Sequence, residues 1–365
     1  KKVDALVVVG GRESANTARL ASIAKEEGLP VWHVESESEL NLESLGEFDS
    51  IGVTAGASTP KWVIDNVVVK LKQMDSNSRG PASLTQLLRF LIKSEIYLSL
   101  GATALTYVNM KVMGVPLSPT PLAIAFCAIL STYLLNQIFL PLELRKSNLR
   151  KYGFHLKYAI FFKYLAISAG VVGAFLSFNA GVEIFGIYLL LILLGSTYGV
   201  NRPFFERMLG PFSKLSSIPA SKDVLAGFAW GIVTVAIPFI AAGNGKSFLL
   251  PFIFTFGIVY VRAVLLDLQD IYSDQIVGKE VLPILTGSKR AIYTLYLVLF
   301  LEFAVWTIAV TSKGMVFGLM FPYLLGVLYL LGFIRFQQNG APSVRFNLYL
   351  DSCYLAMALA AFILS

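Results

Sequence analysis

Residues 262–287, RAVLLDLQDIYSDQIVGKEVLPILTG, end a long apolar run with three aspartates. On a helix, spacings of three and four residues put Asp267, Asp270 and Asp274 on one face. The run before them, about residues 247–266, has the roughly 20 residues a bilayer requires. Each aspartate facing lipid would cost on the order of 2.5–3.5 kcal/mol at the membrane centre. Three clustered carboxylates repel one another unless a cation sits among them. Mg²⁺ suits them, since it takes carboxylate oxygens together with waters and substrate phosphates. Arg262, Lys279 and Arg290 lie on the same face or its turn. The alternative is a solvated helix end in a loop.

Eight further apolar runs flank this one. Together they cover about 94–113, 119–141, 156–178, 181–199, 223–242, 247–266, 291–311, 314–334 and 346–365. The expected fold class is therefore mainly α, a bundle of nine transmembrane helices preceded by a small α/β domain. The 365 residues are 56% hydrophobic and 15% charged, with a mean hydropathy of +0.67. Soluble domains run near a quarter charged, so one ordinary water-soluble domain is excluded. Residues 94–365 hold 19 Lys and Arg against 11 Asp and Glu, whereas residues 1–93 hold 11 against 12. The basic part is the apolar part, which points to the loops of a membrane protein rather than to nucleic acid. Loops after the second, fourth, sixth and eighth runs contain 14 positive residues. The opposite side has only Lys111, Lys246 and Lys313. That bias predicts a cytoplasmic N-terminal region and a C-terminus outside. Cys127 and Cys353 sit in apolar runs, and with His33 and His155 they are too few for a Cys or His metal site.

The first 78 residues alternate strand and helix. VDALVVV (3–9) is a continuous apolar run ending in Gly10-Gly11, the pattern of a buried parallel strand. Helices are expected over about 14–27 and 60–72, with strands at 31–34 and 50–54. GGRESAN (10–16) and TAGASTP (54–60) each place small polar residues at a helix start. Free N–H groups and the helix dipole make such loops anion sites, although glycine turns and Ser/Thr caps alone would look the same. Residues 79–93 read as a linker and an amphipathic surface helix carrying Leu84, Leu87, Leu88 and Leu91. Residues 94–365 form the transmembrane domain. The chain opens on Lys1 and enters a strand at once, as expected of the later part of a longer protein, or of a processed or trimmed one.

VVGGRESANTARL followed by TAGASTP resembles the last third of the hydroxymethylbutenyl-diphosphate reductase family, the IspH or LytB enzymes. The resemblance implies diphosphate binding at Ser14, Asn16, Thr54 and Ser58. That family has a second serine where this chain has Ala15. It also needs an iron–sulfur cluster on three cysteines, and residues 1–93 contain none.

The aspartate stretch, continued through Gly278, Leu282, Pro283 and Gly287, resembles the second aspartate motif of the UbiA superfamily of intramembrane prenyltransferases. The resemblance covers about residues 85–365. It implies Mg²⁺ at Asp267, Asp270 and Asp274, a prenyl diphosphate as donor and a lipophilic acceptor. In that family a second motif, N-D-x-x-D-x-x-x-D, ends the second span. Here Asn136-Gln137-Ile-Phe-Leu140 keeps the Asn and replaces the aspartates, with Glu143 out of register. The basic residues Arg145, Lys146, Arg150 and Lys151 follow. The resemblance further implies diphosphate contacts from Asn136, Tyr198, Lys214, Lys222, Arg262 and Lys279. Lys222-Asp223 reads equally as an anchor pair at a membrane end. Glu302 and Asp351, acids inside spans, are further candidates. The expected protein is a Mg²⁺-dependent membrane prenyltransferase. The rival is a non-catalytic isoprenoid-diphosphate binder or scaffold.

Overall fold

The computed structural model describes residues 3–48, 50–77, 84–139, 154–156, 158–197, 220–243, 245, 248–277, 281–312, 317–337 and 344–364. The chain forms two compact units that divide near Phe90.

In the N-terminal unit, β1 (Ala5–Val9), β2 (Val31–Val34) and β3 (Ile51–Ala55) form a parallel sheet of order β2-β1-β3. The central strand is apolar throughout because both its faces are covered. Helices α1 (Ala15–Glu26) and α3 (Lys61–Asn77) pack on β1. Val7 and Val9 join Val63 and Val67 of α3 in the core, with Leu45 from the short α2 (Leu42–Leu45). Each such fully buried side chain stabilises the unit by roughly 1.5–3 kcal/mol. The chain then enters α4 (Leu84–Lys93).

The second unit is helical. Its elements are α5 (Ile96–Met113), α6 (Pro119–Phe139), α7 (Ala159–Ala180), α8 (Val182–Thr197), α9 (Ser221–Gly231), a π-helical turn (Ile232–Ala236), α10 (Ile237–Ala242), α11 (Leu249–Val277), α12 (Leu282–Thr286), α13 (Ser288–Ser312), α14 (Phe317–Gln337) and α15 (Val344–Ile363). Among the described residues, seven helical stretches are long and apolar enough to cross a membrane, with α9, the π turn and α10 acting as one. The other two expected runs are helical but differ. α8 has 16 residues, and α5 carries Asn109 and Lys111 within its 18.

The outer surface is apolar at helical spacing. Ile160, Tyr164, Val171 and Phe175 are exposed along α7, as are Tyr293, Leu297 and Phe300 along α13. Such stripes on a multi-pass protein face lipid. Polar groups sit inside instead. Pro238 has no N–H to give the Thr234 carbonyl four residues earlier. Asn109 Nδ2 donates to that carbonyl at 3.2 Å, and Asn109 Oδ1 accepts from Tyr323 Oη at 2.7 Å. The π turn is thus tied to α5 and α14 where the helix ladder lacks a donor.

Candidate active site

α11 runs unbroken through all three aspartates, so their backbones follow the expected three- and four-residue spacing. Asp267 is buried, 2% exposed. Its Oδ1 accepts a hydrogen bond from Lys222 Nζ, on the first turn of α9. Its Oδ2 is buried without a hydrogen-bond partner among the described residues. The side chains of Asp270 and Asp274 lie outside the described residues, as do Tyr198, Lys214, Lys279, Glu143, Arg145, Lys146, Arg150 and Lys151.

The approach of α9 to α11 depends on two glycines. A Cβ at Gly227 would lie 2.8 Å from the Phe256 ring and 3.0 Å from the Phe256 carbonyl oxygen. One at Gly231 would lie 2.7 Å from the Phe252 ring. Small residues four apart let two membrane helices come close, and here that closeness carries Lys222 to Asp267.

Arg262, one and a half turns before Asp267, forms a buried two-pronged pair with Asp351 of α15. Nε donates to Oδ1 at 2.6 Å and Nη2 to Oδ2 at 3.3 Å. The expected diphosphate contact of Arg262 is joined by a partner the sequence did not suggest: two of its nitrogens engage a carboxylate 89 residues away in sequence. Sequence spacing gave no sign of that pairing, because the partner lies on another helix. Trp230 stacks on Tyr354 nearby in sequence to Asp351, ring centroids 5.4 Å apart, and donates to Tyr133 Oη at 3.4 Å. Glu302 is buried, and its carboxyl fills the notch left by Gly257.

At the first-motif position of α6, Asn136 Nδ2 donates to the Gly195 carbonyl at 3.2 Å. Gln137 Nε2 donates to Glu95 Oε1 at 2.8 Å. Glu95 adopts a left-handed backbone conformation, φ 62°, uncommon for a residue with a side chain. Sequence reasoning missed Glu95. Its only signal was a lone acid between two apolar helices.

In the N-terminal unit, the two expected loops leave the carboxyl ends of the adjacent strands β1 and β3. That is the crevice where open α/β sheets bind ligands. Ser14 caps α1, its Oγ 3.5 Å from the Thr17 N–H. Asn16 is exposed in the first turn of α1, Ser58 is exposed in the second loop, and Thr54 is half-buried on β3. Thr59 Oγ1 donates to the Val9 carbonyl at 3.1 Å, locking the loops together. Gly10 has φ +143°, and a Cβ there would meet Thr59 Oγ1 at 2.7 Å. A Cβ at Gly56 would meet Thr17 Oγ1 at 2.3 Å. Thr17 Oγ1 is buried between these glycines without a partner among the described residues. The cation of the first loop, Arg12, is held by Glu39 at 2.9 Å.

The profile of the UbiA prenyltransferase family matches residues 159–353, more than half of the chain. The chain belongs to the UbiA prenyltransferase family. Its fold agrees. A UbiA homolog from Archaeoglobus fulgidus bound to DMAPP and Mg²⁺ superposes with a TM-score of 0.55 at 12% identity, covering 76% of this chain and 98% of that one. The apo UbiA homolog from Aeropyrum pernix gives 0.54 at 15% identity, covering 73% and 97%. This UbiA-family chain is thus an integral, multi-pass membrane protein with the prenyltransferase fold.

Residues 1–72 match the LytB protein profile. The 4-hydroxy-3-methylbut-2-enyl diphosphate reductase of Geobacter sulfurreducens is 41% identical over 80 residues, 22% of this chain and 28% of that protein. That of Opitutus terrae is 50% identical over 70 residues, 19% and 24%. The UbiA-family chain therefore spans about a quarter of the length of these curated relatives.

The residues present fit a magnesium ion. A buried carboxylate oxygen without a hydrogen-bond partner among the described residues, Asp267 Oδ2, is the donor such an ion takes. They do not fit an iron–sulfur cluster. Both cysteines are buried in apolar helices, Cys127 in α6 and Cys353 in α15.

Proposed function

We propose that this protein transfers an isoprenyl group from a prenyl diphosphate to a lipophilic acceptor, in the plane of the membrane and with Mg²⁺ bound. The observation that carries the reading is Asp267, buried near the end of α11 with one oxygen on Lys222 and the other without a hydrogen-bond partner among the described residues. Asp267, Asp270 and Asp274 would hold the metal, which supplies electrostatic stabilisation of the leaving diphosphate. Asn136, Tyr198, Lys214 and Lys279 would steady the diphosphate. Lys222 stands beside it on the metal-binding carboxylate. Arg262 fixes α11 against α15 through Asp351 and so positions the aspartates.

In the reaction the bond between the allylic carbon and the diphosphate oxygen breaks, and both electrons leave with the diphosphate. The acceptor's nucleophile then bonds to the allylic cation and loses its proton. The protein stabilises the departing charge and keeps water from the cation in a dry cavity. Where α6 lacks its aspartates, the cations Arg145, Lys146, Arg150 and Lys151 would replace a second metal subsite, since a fixed positive charge in a water-poor pocket offsets phosphate charge strongly. The N-terminal loops, with Ser14, Asn16, Thr54 and Ser58, would bind a diphosphate on the cytoplasmic side, leaving the C-terminus outside.

The test is diphosphate release from a prenyl diphosphate by the full chain in detergent or lipid. The wild type should release it and Asp267→Asn and Asp270→Asn should not, while all remain folded. Neutral replacement of Arg145, Lys146, Arg150 and Lys151 together should also abolish release. A specific observation favours a second reading, a binder without turnover: Gln137 is an amide and is engaged by Glu95. Tight prenyl-diphosphate binding by a wild type that turns over no acceptor would establish that reading instead.

A further inference from the structure

We propose that Lys222 is a built-in cation that makes metal binding at Asp267 conditional on a diphosphate. The proposal rests on the reading of Asp267 as a metal ligand. Lys222 is 45% exposed at its side chain and Asp267 3%, so the ammonium reaches a buried carboxylate from its open side. Lys222 takes Oδ1, and Oδ2 has no hydrogen-bond partner among the described residues. A carboxylate divided in this way offers a divalent ion one oxygen only.

The consequence is electrostatic. A divalent ion on Oδ2 would lie a few ångströms from the ammonium, and like charges that close oppose one another in a poorly screened site. A diphosphate reverses the balance, because its several negative charges attract both cations at once. Metal and diphosphate therefore favour one another at this site. When both are absent, Lys222 keeps Asp267 compensated, and an uncompensated buried carboxylate would be strongly destabilising. The geometry is not left to a flexible side chain alone. Gly227 and Gly231 seat α9 against α11 through the Phe256 and Phe252 rings, which fixes where the Lys222 backbone stands.

The test uses the full-length protein in detergent with Mn²⁺ as probe, its binding read by electron paramagnetic resonance in the absence of any diphosphate. Lys222→Gln should bind Mn²⁺ at least tenfold more tightly than the wild type, and Lys222→Arg, which keeps the charge, should stay within about threefold of it. With metal removed by a chelator, inorganic pyrophosphate should bind Lys222→Gln several-fold more weakly than the wild type. Equal Mn²⁺ affinity in wild type and Lys222→Gln overturns the proposal. If Lys222→Gln is poorly folded, the wild type alone decides: inorganic pyrophosphate should tighten its Mn²⁺ binding at least tenfold, and no tightening overturns the proposal. The double variant Lys222→Gln, Asp267→Asn should lose the tightened binding. Should it bind Mn²⁺ as tightly as Lys222→Gln, the metal sits elsewhere, and it is the assignment of Asp267 that fails.

Discussion

The two units of this chain bury their groups in opposite senses. In the N-terminal unit, Val7, Val8 and Val9 are fully enclosed, and the charged residues, such as Arg12 and Glu39, stand outside. In the helical unit, Tyr164, Phe175 and Tyr293 stand outside, and Arg262, Asp351, Asp267 and Glu302 are enclosed. Water drives the first arrangement and lipid the second, since lipid gives no reward for hiding an apolar side chain. The two candidate sites differ in the same way. The N-terminal loops offer backbone N–H groups and hydroxyls at a helix start, neutral donors suited to an anion that arrives hydrated. The membrane site uses full charges, which act strongly only where water is scarce. Energetic consequences of mutation should therefore be concentrated on charge in one unit and on shape in the other.

The largest expected effect is at the buried pair. Arg262→Met leaves Asp351 buried and uncompensated and should cost about 3–5 kcal/mol, read as thermal unfolding in detergent. Arg262→Met with Asp351→Leu should recover most of that loss. If the single and double variants are equally unstable, the interior of this unit is governed by shape, and the contrast with the N-terminal unit breaks. Next comes the candidate active site. Asp267→Asn should lower prenyl-diphosphate turnover by at least about 100-fold with little change in unfolding temperature.

Gly227→Ala tests how closely α9 must approach α11. The added methyl meets a backbone carbonyl oxygen at 3.0 Å as well as a ring, so something must shift. A loss of roughly 1–3 kcal/mol is expected, with weaker engagement of Asp267 by Lys222. A smaller effect is expected in the N-terminal unit. Ser14→Ala with Ser58→Ala should weaken prenyl-diphosphate binding to that unit by about 1–3 kcal/mol in sum, measured in the full chain carrying Asp267→Asn so that turnover does not interfere. Unchanged binding would make these loops caps and turns only. The smallest effect is predicted for Tyr164→Leu on the outer face of α7, within about ±0.5 kcal/mol, because one lipid-facing side chain replaces another. The equivalent apolar-to-apolar exchange at Val8, inside the sheet, should not be neutral.

Much of the architecture could be read from periodicity. The apolar run 3–9 becomes the central strand because only a strand covered on both faces tolerates it. The aspartates at 267, 270 and 274 sit on one continuous helix because nothing between 249 and 277 breaks it. α3 runs on to Asn77, past the expected end near residue 72, since no glycine or proline stops it earlier. α5 and α8 are helices where apolar runs were expected, yet their composition and length set them apart from the seven clear spans.

The sequence by itself determined the kinds of element, the membrane character and the residue types at the aspartate stretch. These depend on neighbours within a turn or a strand repeat, and such neighbours are adjacent in the chain. Only the tertiary structure decided which polar groups meet. Arg262 is paired with Asp351, Lys222 with Asp267, and Gln137 with Glu95 across separations of 89, 45 and 42 residues. Charge pairing depends on distance in space to within an ångström, and no local periodicity specifies it. The same holds for Asn109, whose amide fills the gap that Pro238 leaves at Thr234 on another helix. A proline in the sequence shows that a carbonyl loses its donor, and only packing determines which side chain takes its place.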